Sequence, residues 1–114
     1  MIHSTQTDDG IIIVRPGVQR LTAVNSKAFK DEIVALIDAG NSEFVIDFTS
    51  TTFLDSSGLG ALAGVLKKIG HRGDLAVCGL GPDVMQMFTI CRMDRVFSIY
   101  PDEAAALRAL SEKS

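Results

Sequence analysis

An uninterrupted β-branched run, "IIIVRPG" from Ile11 to Gly17, is closed by a proline and a glycine. Short apolar runs bounded by turn residues read as buried strands, and Ile2 to Gln6 is positioned to pair with this one through the "DDG" turn at Asp8 to Gly10. From Asn25 to Gly40 the period changes. Phe29, Ile33, Leu36 and Ile37 recur at helical spacing, with Asn25 or Ser26 to cap the start and Gly40 to stop the helix. Strand character returns at "EFVIDF", Glu43 to Phe48, and "TSTT", Thr49 to Thr52, is a polar approach to the next element. In "TTFLDSSGLGALAGVLKKIG", Thr51 to Gly70, a second helical stripe runs through Leu59, Leu62, Val65, Leu66 and Ile69. The other faces of that helix are kept small by Gly58, Gly60, Ala61, Ala63 and Gly64, and Lys67 and Lys68 in its last turn suit the helix dipole. The remainder predicts a strand at Asp74 to Gly79, a helix at Pro82 to Cys91 with proline at its first position, a strand at Val96 to Tyr100, and a final helix over Pro101 to Glu112.

The order β-β-α-β-α-β-α-β-α predicts an α/β fold with a mixed, largely parallel sheet, because each parallel return requires a crossover of about a dozen residues. A chain of 114 residues suits one domain spanning residues 1–114 and leaves no room for a second. The formal net charge of -3 argues against a general nucleic-acid binder, whose surface would carry excess cations to displace counterions from phosphates. Partners are expected to be proteins or small molecules. Cys78 and Cys91 have neither metal-type nor redox-type spacing, which predicts buried free thiols in a reducing compartment. The start "MIHSTQTDDG" has no basic segment followed by an apolar run, and no stretch reaches the 18 or so apolar residues of a membrane span, so a soluble, cytoplasmic protein is expected.

Candidate chemistry centres on "DSSG", Asp55 to Gly58, at the start of the glycine-rich helix. Asp55 or Ser56 suffices to cap that helix by accepting a hydrogen bond from a free backbone N–H, a role worth about 1 kcal/mol. The second hydroxyl then needs another explanation. A serine hydrolase does not fit, because the nucleophile elbow is G-x-S-x-G and the only bases are His3 and His71. His71 follows the helix, so about 15 residues at 1.5 Å each place it roughly 20 Å from the serines, out of reach of either hydroxyl. "CGLGPD", Cys78 to Asp83, lacks both the Lys-Ser/Thr of a P-loop and the third glycine of a dinucleotide fingerprint, and reads as a tight strand-to-helix turn. Two separated histidines and two separated cysteines supply no metal site. The adjacent acids Asp8 and Asp9, and Asp102 and Glu103, fall at turns or helix starts, where solvation and capping account for them. Met85, Met87 and Met93 read as core packing or as an adaptable contact surface. What remains for the surplus hydroxyl is covalent modification, since a phosphate brings a charge of about -1.5 to -2 and a helix N-terminus favours an anion.

The segment "FVIDFTSTTFLDSSGLGALAGVLKKI", together with "LIDAG", "GDLAVCGL" and "MDRVFSIYPDEAAAL", resembles the STAS-domain anti-sigma factor antagonists over nearly the whole chain. The resemblance implies a sheet of four or five strands with about four helices packed largely on one side, no enzymatic activity and no cofactor. It implies phosphorylation at Ser56, the first serine after the motif aspartate, with Ser57 as the alternative. It places partner contacts at Asp55, Ser56, Ser57, Gly58, Leu59 and Gly60, and in the loop Val18 to Ser26 at Arg20, Thr22 and Asn25. The implied partners are a GHKL-type serine kinase that doubles as an anti-sigma factor and a PP2C-type phosphatase, with neither nucleic acid nor membrane. Thr22 stands where the family often carries an acidic residue. The family also contains constitutive accessory subunits of transporters and signalling complexes, which use the same helix end without modification of the serine.

Overall fold

The computed structural model describes residues 1–112. Strands β1 (His3–Gln6), β2 (Ile12–Arg15), β4 (Glu43–Asp47), β6 (Asp74–Cys78) and β7 (Ser98–Tyr100) form one sheet in the order β1-β2-β4-β6-β7. A separate pair, β3 (Arg20–Leu21) and β5 (Phe53–Leu54), lies outside it. The helices are α1 (Ser26–Asp38), α2 (Ser56–Ile69), α3 (Pro82–Ile90) and α4 (Glu103–Glu112). β1 and β2 form the antiparallel hairpin, in register His3 to Arg15, and every later neighbour is parallel. The mixed α/β architecture follows from the alternation of periods along the chain. In a parallel sheet each return strand is reached through a helix, and here α1, α2 and α3 are those crossovers.

Alternation along each strand divides the core in two. Ile12, Val14, Phe44, Ile46, Leu75 and Val77 face α1, α2 and α3, which contribute Phe29, Ile33, Leu62, Val65 and Phe88 to the larger core. Phe88 fastens α3 by edge-to-face contacts with Phe48 and Phe97, at centroid distances of 6.3 and 5.8 Å. The opposite face carries Ile11, Val45, Ala76 and Cys78 and is covered by α4 through Ala106 and Leu110. Burial beneath α4 and the nearby carboxylates push the Cys78 thiol up to about 12, so it stays protonated. Cys91, expected to be buried as well, is only half-buried.

The back face also holds the charges that tie α4 to the sheet. Arg15, at the end of β2, donates from Nη2 to Glu103 Oε2 at 2.7 Å, and its Nε lies 3.9 Å from Asp47 Oδ2. Burial opposes ionisation of Asp47, but hydrogen bonds from Glu103 and from the Thr49 hydroxyl and amide outweigh it and hold its carboxyl below the usual value. The hydrogen bond to Asp47, followed by burial, raises Glu103. The two carboxyls thus shift in opposite directions beside the Arg15 guanidinium.

Several boundaries differ from those read in the sequence. Val96 and Phe97 belong to the turn before β7, and Pro101 and Asp102 precede α4. There the Asp102 carboxylate accepts from the Ala105 amide at 2.9 Å and caps the helix. Gly40, at φ +107°, ends α1 as its conformational freedom predicts. Asn25 stands at the N-cap of α1, but its side chain makes no cap hydrogen bond, because the loop before it takes up both polar atoms. Among the described residues no helix is long and apolar enough to cross a membrane.

Candidate functional site

The segment from Val18 to Ser26, predicted as a loop, contains β3. β3 runs parallel to β5 with Arg20 opposite Phe53 and Leu21 opposite Leu54. Two residues are too few to show a period, so these strands are made by their surroundings. The Thr52 amide donates to the Gln19 carbonyl at 2.8 Å and the Thr51 hydroxyl to the Val18 carbonyl at 2.8 Å, while the Arg20 guanidinium lies 4.2 Å from the centre of the Phe53 ring. This small ladder delivers the chain to the start of α2 and holds the preceding loop beside it.

Asp55 joins the two. Its Oδ1 accepts from the Gly58 amide at 3.0 Å, which caps α2, and its Oδ2 accepts from the Ala23 amide at 3.2 Å. Its own amide donates to the Leu21 carbonyl at 3.2 Å. The loop is closed on itself by Asn25, whose Oδ1 accepts from the Thr22 amide and whose Nδ2 donates to the Arg20 carbonyl, each at 3.0 Å. The Thr22 hydroxyl oxygen accepts from the Val24 amide at 3.3 Å. Thr22 therefore serves the loop's own turn.

With Asp55 as the cap, neither serine is needed for it. Ser56 is exposed in the first turn of α2, and its hydroxyl makes no hydrogen bond among the described residues. Ser57 is half-buried and lines a hollow of about 230 Å³ with Lys27, Lys30 and Gly60. Gly60 opens onto empty space, with nothing within 4 Å of where a Cβ would stand. Gly58 and Leu59, also expected at the partner contact, are turned inward in the chain itself. A Cβ at Gly58 would lie 2.7 Å from the Leu21 carbonyl oxygen, so this glycine allows α2 to pack against β3 within the chain. Leu59 is 3% exposed and belongs to the core.

Sequence reasoning passed over Val24, which is 94% exposed on the loop that Asp55 holds. A single exposed apolar side chain is ordinary on a protein surface, and what sets Val24 apart is its place on the loop beside the start of α2. The only signal in the sequence was its failure to join the stripe of α1. His71 lies in the 3₁₀ turn Gly70–Arg72 after the far end of α2, so it cannot serve the serines as a base. Among the described residues no group of three or more His, Cys, Asp or Glu side chains is placed to hold a metal ion.

A family profile described as the STAS domain matches residues 3–106. The chain belongs to the STAS domain family. The STAS fold accounts for the five-stranded mixed sheet and for the three helices on its larger face. Similar proteins include the anti-sigma F factor antagonist of Paenibacillus polymyxa, 34% identical over 67 residues, which are 58% of this chain and 57% of that protein. The match therefore spans little more than half of that relative. BtrV of Bordetella bronchiseptica, a candidate anti-sigma factor antagonist by its name, is 28% identical over 103 residues, covering 89% of this chain and 87% of its own. The solved structure of an anti-sigma factor antagonist from Mycobacterium paratuberculosis superposes with a TM-score of 0.87 at 27% identity, covering 97% of this chain and 93% of that one.

Proposed function

We propose that this STAS domain is an anti-sigma factor antagonist that works as a phosphorylation-controlled partner switch. The observation that carries the proposal is the Ser56 hydroxyl, which is exposed, free of hydrogen bonds among the described residues and relieved of capping by Asp55. The names of its relatives support the antagonist role. In this reading the unmodified domain acts in the cytoplasm and binds a GHKL-type serine kinase that also serves as the anti-sigma factor. The contact is made by Ser56, Ser57 and Gly60 on α2 and by Arg20, Thr22, Val24 and Asn25 on the adjoining loop. Phosphorylation at Ser56 releases the partner, and a PP2C-type phosphatase restores binding. The domain works by binding and catalyses no reaction.

The charge arithmetic fits a local switch. A phosphate at the N-terminus of α2 is favoured by about 0.3 to 1 kcal/mol through the dipole, while the Asp55 carboxylate next to it opposes it by a similar amount in water. The domain tolerates the group, and an apposed partner does not. A hundredfold loss of affinity needs only about 2.7 kcal/mol, which one desolvated or repelled phosphate supplies.

Intact-mass analysis and peptide mapping after incubation with the native kinase and ATP test the assignment. One phosphate on Ser56 is expected, and Ser56→Ala should remain unmodified and keep its partner bound. Stoichiometric phosphorylation of the Ala variant would move the site to Ser57. No phosphate on either serine would replace the switch by a constitutive subunit that uses the same surface.

A further inference from the structure

Helices α1 and α2 pack side by side, and the groove between them is lined with cations. The hollow beside Ser57 and Gly60 is bordered by Lys27 and Lys30, and Lys30 also borders a larger one of about 570 Å³ that continues past Gly64 to Lys67, Lys68 and Arg72, with Asp31 as its one carboxylate among the described residues. Gly64 keeps the floor low, since a Cβ there would stand 2.8 Å from Lys30 Cε. The Lys30 stem lies over the glycine. Five of the chain's eleven lysines and arginines thus stand along one groove of a protein whose net charge is -3. Lys27 is paired with Asp31 at 2.6 Å and Lys68 with Asp38 at 3.6 Å. Lys30, Lys67 and Arg72 have no carboxylate within 4.0 Å among the described residues. Arg72 donates instead to the Lys68 carbonyl at 2.8 Å, which fixes its guanidinium at the end of α2.

We propose that the α1–α2 groove is a docking surface for an acidic segment of a protein partner. Charge complementarity argues for the occupant. Three cations with no carboxylate partner among the described residues flank a furrow that is open at Gly60 and crossed by the Lys30 stem at Gly64, whereas the rest of the molecule carries the surplus of acid. From Gly60 to Ile69, where α2 ends, the furrow runs roughly 14 Å at 1.5 Å per residue, the length of about ten helical residues. A general polyanion binder would carry an excess of cations over the whole molecule, which a net charge of -3 does not supply, while a short carboxylate-bearing segment needs only the groove. The groove begins at Ser57, so the same partner could engage it together with the end of α2.

The test is a titration of the unmodified ¹⁵N-labelled protein with a synthetic helical peptide bearing glutamates along one face, followed by NMR. Saturable shifts are expected at the amides of Lys30, Gly60, Gly64, Lys67 and Arg72, weakening several-fold as salt rises from about 50 to about 300 mM. The double variant Lys30→Glu, Lys67→Glu should lose at least tenfold in affinity, and Lys30→Arg, Lys67→Arg should retain it. Absence of saturable shifts, or equal binding by the Glu variant, overturns the proposal. Equal binding of an oligothymidylate to the same amides overturns it in favour of nucleic acid. Self-association of the free protein that disappears in the Glu variant overturns it in favour of a second copy of this chain. No kinase takes part and Ser56 is unchanged throughout, so failure of the groove leaves the switch standing and failure of the switch leaves the groove.

Discussion

At Gly58 a Cβ would meet the Leu21 carbonyl oxygen at 2.7 Å and the Leu54 Cβ at 3.2 Å, and the first of these is backbone that cannot rotate away. At Gly60, two residues on, the same atom would enter open space. Alanine substitution should therefore act with opposite signs on one helix. Gly58→Ala forces α2 away from β3 and should cost about 1 to 3 kcal/mol, as overpacking does. Gly60→Ala gains helix propensity and should stabilise by about 0.5 to 1 kcal/mol. Urea unfolding of the two variants measures both, and a Gly58→Ala protein as stable as the parent would show that the approach of α2 to β3 is loose. Asp55 is the other decisive position, since its two carboxylate oxygens serve the amides of Gly58 and Ala23. Asp55→Ala should lower stability by about 1 to 2 kcal/mol, the upper range for a lost cap, and should raise hydrogen exchange at Ala23 and Val24. Loss of stability without faster exchange in the loop would separate the cap from the tether.

Helix α4 reaches the sheet through two devices of different kind, a small apolar patch and the cluster of Glu103 and Asp47 around Arg15. The raised Glu103 contributes stability that is fully present below its ordinary value of 4.5 and is lost as pH rises through its folded value. The lowered Asp47 contributes stability that is present above 3.8 and is lost as pH falls through its folded value. The attachment of α4 should thus strengthen on acidification from neutral towards about pH 4.5 and weaken again below the folded value of Asp47. Glu103→Gln, which keeps a donor towards Asp47 but cannot titrate, should flatten the upper part of this profile when thermal stability is compared with the parent between pH 7 and 5. An unchanged profile would remove the titration of Glu103 from the account. The carboxyl pair was not legible in the sequence, where Glu103 read as a helix-start acid and Asp47 as the end of a strand; only the parity of β2 and β4 and the return of α4 bring them together. The helices α1 and α2 were legible because burial of one face imposes a period over many residues, and β2, β4 and β6 because strands buried on both faces read as uninterrupted apolar runs. β3 and β5 were not, being two residues each and made by neighbours distant in sequence. For the same reason the site was half legible. "DSSG" announced an exposed helix start, but only the approach of Leu21 shows that Gly58 turns inward, and only the loop's own hydrogen bonds leave Val24 outside.

Across the molecule, the parts that would report modification are separated from the parts that hold the fold. Ser56 is exposed at one end of α2, and the first buried residues of that helix are Gly58 and Leu59. A charge at position 56 therefore reaches neither core, and its effects on the helix oppose each other: the dipole favours it and Asp55 repels it. Ser56→Glu should shift the melting temperature by only a few degrees, since 1 kcal/mol corresponds to about 4 to 8 °C in a domain of this size. Its affinity for the proposed anti-sigma factor partner should fall by one to two decades, or about 1.4 to 2.7 kcal/mol, because a carboxylate carries one charge and lacks the phosphate's shape. The phosphorylated protein should lose more. Val24→Glu makes the complementary test on the loop: at 94% exposure the substitution should leave stability within about 0.5 kcal/mol and still weaken the same complex. Binding by calorimetry and melting by circular dichroism on the same samples distinguish the outcomes. Unchanged affinity in the phosphoprotein would remove the switch, whereas affinity lost together with the melting transition would mean that the charge acts by unfolding the domain rather than by repelling a partner.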